Sequence, residues 1–244
     1  QRNTWVGLNA YTALAEGNNG ASGVYNCKNG YLINKPVSTE NNLDKNIGAV
    51  ADFAKSIDTP TTVMLVPSTG YIVDDVLPTF HDKYNDDEDI RKISSTLSKD
   101  KIGFVDLRER FKSEYKNGSQ LYYKTDHHWT TKGAYTGYQE LCKALGITPI
   151  DDSTLKKDSY PDFYGTTYSS SGFWLTPPDN IEIWNNPKNS DRNISVKITE
   201  GANIKTSGSM YFTDHLKEDD KYPVFIDGDR KSTRLNSSHT VVSR

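Results

Sequence analysis

Between residues 43 and 145 the chain alternates helix-spaced segments with short apolar runs, and that alternation restricts its fold more than any other feature. Leu43, Ile47, Val50, Ala54 and Ile57 recur at helical spacing, with Asn41 or Asn42 placed to cap the helix. Thr61–Pro67, "TTVMLVP", is a single apolar run of strand length. A second helix follows in "NDDEDIRKISSTLSKD", where Asn85 is the expected cap and Ile90, Ile93 and Leu97 form the stripe. Acids fill its first turn and lysines its last, as the helix dipole favours. "IGFVDL", Ile102–Leu107, is a second strand-like run. A third helix has Thr130 or Thr131 as cap, Ala134, Tyr138, Leu141 and Leu145 along one face, and Gly146 as its stop. Single-run strands alternating with helices predict a parallel sheet covered by helices on both faces, the α/β class in three layers.

Outside this stretch the pattern changes. The first 40 residues are rich in Asn and Gly and read as loops, with a short hairpin turning at Lys28–Asn29–Gly30. From about residue 160 to 215 the chain is polar, aromatic and β-rich, which predicts an inserted hairpin or flap; Ser169, Ser170 and Ser171 fall in its loop. An apolar fraction of 34% in 244 residues means that polar loops take up much of the length.

Several functions are excluded early. A net charge of -3 with scattered Lys and Arg provides no field to hold nucleic acid or an anionic membrane. Cys27 and Cys142 are the only cysteines and neither lies in a CxxC, so a thiolate zinc site is excluded and a disulfide framework is not suggested. No apolar run approaches the ~20 residues of a membrane span. No signal peptide opens the chain, but it begins at Gln1 rather than Met, which leaves an N-terminal segment unaccounted for.

The chemistry concentrates in "LYYKTDHHWTTKGAY", Leu121–Tyr135, where one acid and two histidines precede the third helix. Such a position faces the crevice at the sheet edge in α/β proteins. In an extended segment residues two apart share a side, so Asp126 and His128 are expected together and His127 pointing elsewhere. That is the arrangement of an orienting acid and a base: the carboxylate takes the Nδ1 proton and Nε2 handles the proton of a nucleophile. Two other readings of the same residues stay open. Capping with surface exposure explains an Asp-x-His before a helix, and Asp, His and His are all metal ligands. Trp129 alone reads as core. Ser68, in the "VPST" that follows the first strand, is expected at the same sheet edge as a wall or oxyanion donor. Trp174, Trp184 and the 15 tyrosines fit sugar stacking or ordinary half-buried packing.

"YYKTDHHWTTKGAYTGYQELCKALGI" resembles the signature of the DHHW protein family, in the alginate O-acetyltransferase-like branch of the SGNH hydrolases. "SGVYNCKNGYLI", "TTVMLVPSTGYI", "KIGFVDL", "DFYGTTYSSSG" and "DKYPVFIDGD" follow the family's order, so the resemblance spans most of residues 23–228. It implies an SGNH-hydrolase-like (flavodoxin-like) domain over residues 1–228 with a β-rich insertion, truncated at its C-terminus. It implies Asp126 as orienting acid, His128 as general base, and His127 as a residue that tunes the site or binds substrate. It implies a serine nucleophile further along, no metal and no cofactor. The implied activity is serine O-acetyl transfer or acetylester hydrolysis on a cell-surface or secreted polysaccharide, outside the cytoplasm, with a membrane acetyl-donor partner. A non-catalytic glycan-binding module of the same fold and a metal-dependent phosphoesterase are the alternatives.

The nucleophile's strand–turn–helix, expected some tens of residues after "VFIDGD", does not follow. Residues 229–244 read "DRKSTRLNSSHTVVSR", without strand signal or apolar period, and Asp229–His239 back-translates onto a common sequencing-library adapter. These residues are therefore expected to be adapter read through as protein, and Ser232, Ser237, Ser238 and His239 to carry no function.

Overall fold

The structure is a computed structural model, and it describes residues 2–37, 42–189, 196–200, 203–218 and 221–225. Asn41 and the whole of 229–244 lie outside the described residues, as do the expectations that fall on them. The chain divides into two compact units, Gln1–Pro187 and Lys188–Arg244.

The first unit opens with a helix, α1 (Arg2–Ala15), where the sequence reading expected loop. The Asn- and Gly-rich composition begins only at Glu16. Ahead of it Ala10, Tyr11 and Leu14 sit at helical spacing and pack on Val24, Leu32 and Phe173. Two antiparallel steps follow, β1 (Gly20–Ala21) with β2 (Val24–Asn26), and β2 with β3 (Leu32–Asn34). The β2–β3 turn falls at Lys28–Gly30, with Asn29 at φ 57 and Gly30 at φ 76, the left-handed geometry these two residues tolerate best.

The α/β part comes next. α2 (Leu43–Ser56) leads into β4 (Thr62–Leu65), the short α3 (Thr69–Ile72), α4 (Asp86–Lys99) and β5 (Gly103–Asp106). β4 and β5 pair in parallel, Val63 opposite Phe104 and Met64 opposite Val105. Alternation then sends these residues to opposite faces. Val63 and Phe104 join Ile47, Ala51, Leu97 and Ile102 in a cluster under α2 and α4. Met64 and Val105 join Ile72, Leu107, Phe111 and Tyr122 on the other face. That second face is covered by α5 (Arg108–Lys116) and α6 (Thr131–Leu145), which makes the expected three layers. Each large side chain buried there, Phe111 and Tyr122 among them, contributes roughly 1.5–3 kcal/mol by leaving water.

Three local expectations need correction. Asn42 and Asn85 do occupy the N-cap positions of α2 and α4, but neither side chain makes a capping hydrogen bond. Val50 is exposed and Ala51 takes its place in the core. On α6 the inward side is Gly133, Tyr135, Thr136, Gly137 and Cys142, while Leu145 is exposed. The small residues win because Trp129 and the Leu121 carbonyl lie close against this helix: a Cβ at Gly133 would come within 2.3 Å of Leu121 O, and one at Gly137 within 3.0 Å of the Trp129 ring. The ends of α6 are as expected, with Thr130 Oγ1 accepting from the Gly133 amide and Gly146 at φ 67.

After α6 come β6 (Lys156–Phe163), α7 (Thr166–Ser171) and β7 (Asp179–Asn185), with β6 and β7 antiparallel. Ser169–Ser171 belong to α7 rather than to a flap loop. Their hydroxyls donate to the carbonyls of Gly165, Thr167 and Tyr168, so the serines satisfy themselves within the helix and Ser171 is fully buried. In the second unit β8 (Val196–Glu200) and β9 (Asn203–Ser207) form an antiparallel hairpin, and Tyr211 bridges to Phe225. Among the described residues no helix is long and apolar enough to cross a membrane.

Candidate active site

The segment before α6 is a closed loop. Tyr122 and Trp129 form an antiparallel bridge, the Tyr123 amide donates to the His128 carbonyl, and the Thr130 amide donates to the Leu121 carbonyl. Residues 123–128 are therefore folded back rather than extended, and the two-residue alternation does not apply to them. Asp126 and His128 do meet: His128 Nδ1 is 2.5 Å from Asp126 Oδ1. His127 does not point elsewhere. Its ring lies 3.9 Å from that of His128, centroid to centroid, and its Nδ1 is 3.7 Å from Asp126 Oδ1.

Asp126 is 2% exposed, and both its oxygens are fully engaged. Oδ1 accepts from the His128 ring and from the His128 amide at 2.9 Å. Oδ2 accepts from the Thr166 amide at 2.7 Å and the Thr166 hydroxyl at 3.0 Å. Burial pushes its pKa up, but the His128 ring and the Thr166 and His128 amides more than offset that, and the carboxyl is held well below the usual carboxylate range. His128 Nδ1–H thus has a charged acceptor, which leaves Nε2 as the nitrogen that exchanges protons.

A second carboxylate holds the loop itself. Asp179, at the start of β7, is 4% exposed and takes hydrogen bonds from Gln120 Nε2, the Lys124 amide, the Thr125 amide and the Thr125 hydroxyl, at 2.6–3.0 Å. Thr125 Oγ1 in turn accepts from the Gly165 amide. Gly165 has an ordinary φ of -87, yet a Cβ there would come within 2.2 Å of Asp126 Cβ. Phe163, fully buried at the end of β6, meets the Tyr123 ring edge-on at 4.9 Å. The sequence reading took this β-rich region as an insertion and assigned it no part in the site. Asp179 carried no signal, because its partners come from residues more than 50 positions earlier and no short motif joins them.

The loop is tied to the sheet by Tyr122, whose hydroxyl donates to the carbonyl of Pro67, just past the carboxyl end of β4. A cavity of about 250 Å³ opens there, lined by Ser68, Tyr84, Asn85, Asp86 and His127 among others. Ser68 is thus on the wall of this cavity. Its amide is committed to Asp86 Oδ1 at 2.6 Å, so only its hydroxyl can serve a ligand there. Trp129 packs against the core as predicted. Trp184 is in contact with Tyr135 and under the Lys157 ammonium, which is packing rather than a sugar platform. Cys27 and Cys142 are free and buried, and burial pushes the Cys27 thiol up to about 12, far from a reactive thiolate.

The sequence model of the SGNH hydrolase-like domain of acetyltransferase AlgX matches residues 32–162, more than half of the chain. The chain belongs to this AlgX acetyltransferase family of SGNH hydrolase-like domains. None of the curated proteins matches it in sequence. Among solved structures, Bacillus cereus PatB1, determined with a sulfonyl adduct, superposes with a TM-score of 0.65 at 18% identity, covering 84% of this chain and 70% of that one. A DHHW family protein from Eubacterium siraeum gives 0.60 at 18%, covering 85% and 69%. The O-acetyltransferase domain of Pseudomonas putida AlgJ gives 0.54 at 18%, covering 66% of this chain. The chain spans 63% of that AlgJ structure, less than two thirds of its length. At these identities the likeness is one of fold, and it agrees with the family match and with the layered α/β architecture. The AlgX-family match takes in the Asp126–His128 loop and Ser68 and ends just before Phe163.

Proposed function

We propose that this chain carries the acid–base half of an SGNH-like serine O-acetyltransferase or acetylesterase, working outside the cytoplasm on a cell-surface or secreted polysaccharide. The observation that carries this reading is the 2.5 Å contact between His128 Nδ1 and a buried Asp126, beside a cavity past the sheet edge. A serine hydroxyl gives its proton to His128 Nε2 as its oxygen attacks the acetyl carbonyl. Collapse of the tetrahedral adduct leaves an acetyl-serine and the departing alcohol, which takes the proton back. A sugar hydroxyl or water then attacks the acetyl-serine with the same base. Ser68 and His127 are assigned to the cavity wall, where they hold substrate or the oxyanion. A membrane acetyl-donor partner belongs to the transferase form of this proposal.

No described residue is assigned the nucleophile; Ser169–Ser171 spend their hydroxyls inside α7. The adapter match of residues 229–244 supports reading them as foreign to the natural chain and the nucleophile as lying in its continuation beyond Gly228. The metal reading has one observation in its favour: donor atoms of Asp126, His127 and His128 lie within 4.8 Å of one another. Against it, all acceptor positions of the Asp126 carboxylate are taken, and an ion would have to displace the bonds that build the loop.

The test is hydrolysis of p-nitrophenyl acetate. The 244-residue chain should show essentially no turnover, since loss of the serine alone costs roughly 10⁶ in kcat in a triad enzyme. With the natural continuation restored, activity should return, His128→Ala should abolish it, and Asp126→Asn should reduce it by about 10⁴. Activity that requires an added divalent cation and survives removal of the serine would replace this reading with the metal one.

A further inference from the structure

The β-rich segment delivers Thr166 to the far side of Asp126, and the hydrogen bonds there have only one consistent set of directions. Thr166 Oγ1 lies 3.0 Å from Asp126 Oδ2 and 3.0 Å from His127 Nδ1. A hydroxyl has one proton to donate. An ionised carboxylate accepts more strongly than a neutral ring nitrogen, and without the proton two oxygens would face each other across 3.0 Å. The proton therefore goes to Asp126, and the hydroxyl must accept from His127 Nδ1–H. A second contact agrees: His127 Nδ1 is also 3.7 Å from Asp126 Oδ1, where a lone pair would be repelled and a proton attracted.

We propose that Thr166 is a positioning residue that sets His127 as the Nδ1–H tautomer through its hydroxyl, while its amide and hydroxyl together hold Asp126 against His128. Both imidazoles are then anchored through Nδ1 to one carboxylate, His128 directly and His127 through the threonine, so that in the neutral form of each ring Nε2 carries no proton. The stacked pair thus forms a single unit with a common acid. The alternative tautomer at His127 would put a donor instead of an acceptor at that ring's outer edge, beside the cavity it lines. The catalytic meaning of this arrangement rests on the acetyl-transfer reading, but the tautomers themselves do not.

The experiment reads tautomers rather than turnover, so its failure and that of the proposed activity are separate events. Imidazole ¹⁵N resonances of the 244-residue chain are recorded at about pH 8.5, well above the ordinary histidine pKa of ~6.5. His127 and His128 should both show a protonated Nδ1 and an unprotonated Nε2. In Thr166→Val, which keeps the shape and removes the hydroxyl, His127 should lose its Nδ1–H preference while His128 keeps its own. Thr166→Ser should restore the wild-type pattern. Nε2–H at His127 in the wild-type chain overturns the proposal at once, whether or not the valine variant folds. An unchanged His127 pattern in folded Thr166→Val also overturns it, since the hydroxyl would then not be what orients the ring.

Discussion

At the scale of single residues, the behaviour of Asp126 with pH follows from its partners. Its pKa in the folded protein is depressed, so the carboxylate contributes stability that is fully present above the unfolded value of ~3.9 and is lost as pH falls toward the folded one. Asp126→Asn keeps the shape without the charge. Its melting temperature should lie below wild type at neutral pH, and the gap should narrow progressively below about pH 4. Thermal melts of both proteins from neutral to acid pH check this; other carboxylates titrate alike in the two and cancel. A gap that stays constant into strong acid would mean that the charge of Asp126 does not stabilise the loop. The identity of this residue and of His128 was legible in the sequence, because both lie in one short motif. The placement of His127 was not. Alternation holds for a strand, and the bridge from Tyr122 to Trp129 turns the segment into a loop in which neighbours can face the same acid.

At the scale of elements, periodicity located α2, β4, α4, β5 and α6 between 43 and 145 but not α3 or α5, and it gave the inward faces less well. Helical spacing identifies a face only to within about one residue when small and large residues compete for it. In α2 the choice between Val50 and Ala51 went to the smaller, and in α6 the most buried side shifted toward Gly133 and Gly137, with Leu141 still packed on the core and Leu145 exposed. Close approach to Trp129 and to the Leu121 carbonyl is a tertiary fact with no local signature. It has a measurable cost. Gly133→Ala adds about 1 kcal/mol of helix propensity, yet it should destabilise the protein by roughly 1–3 kcal/mol net, because the new methyl meets the Leu121 backbone carbonyl at the base of the Asp126–His128 loop. Urea denaturation at constant m reads this directly. A stabilised variant would show that the loop yields easily. The N-terminal helix was missed for a related reason: composition averaged over 40 residues hid 14 that are helical.

At the scale of the whole molecule, the resemblance located the family, and the fold and family match agree with it. What was least legible was the role of the β-rich region, which was expected as an insertion. It brings Phe163, Gly165, Thr166 and Asp179 to the Asp126–His128 loop, and their hydrogen bonds and ring contact hold that loop in place. The proposed boundary at Gly228 makes a separate prediction. A chain ending there should melt at the same temperature as the 244-residue chain, since residues 229–244 have no apolar period to bury. A marked drop in Tm would give those residues a structural role and count against the adapter origin.

Gly165 shows what such a clamp means for the history of the chain. It has no chemistry to offer and no unusual dihedral to keep. In most loops it would drift freely. Here every other amino acid brings a carbon into Asp126, so no single substitution at this position can leave the acid where it is. Each route away from glycine passes through a protein whose site is already broken, unless the acid's own surroundings shift first. A position that offers no side chain is thereby made one of the hardest for mutation to leave.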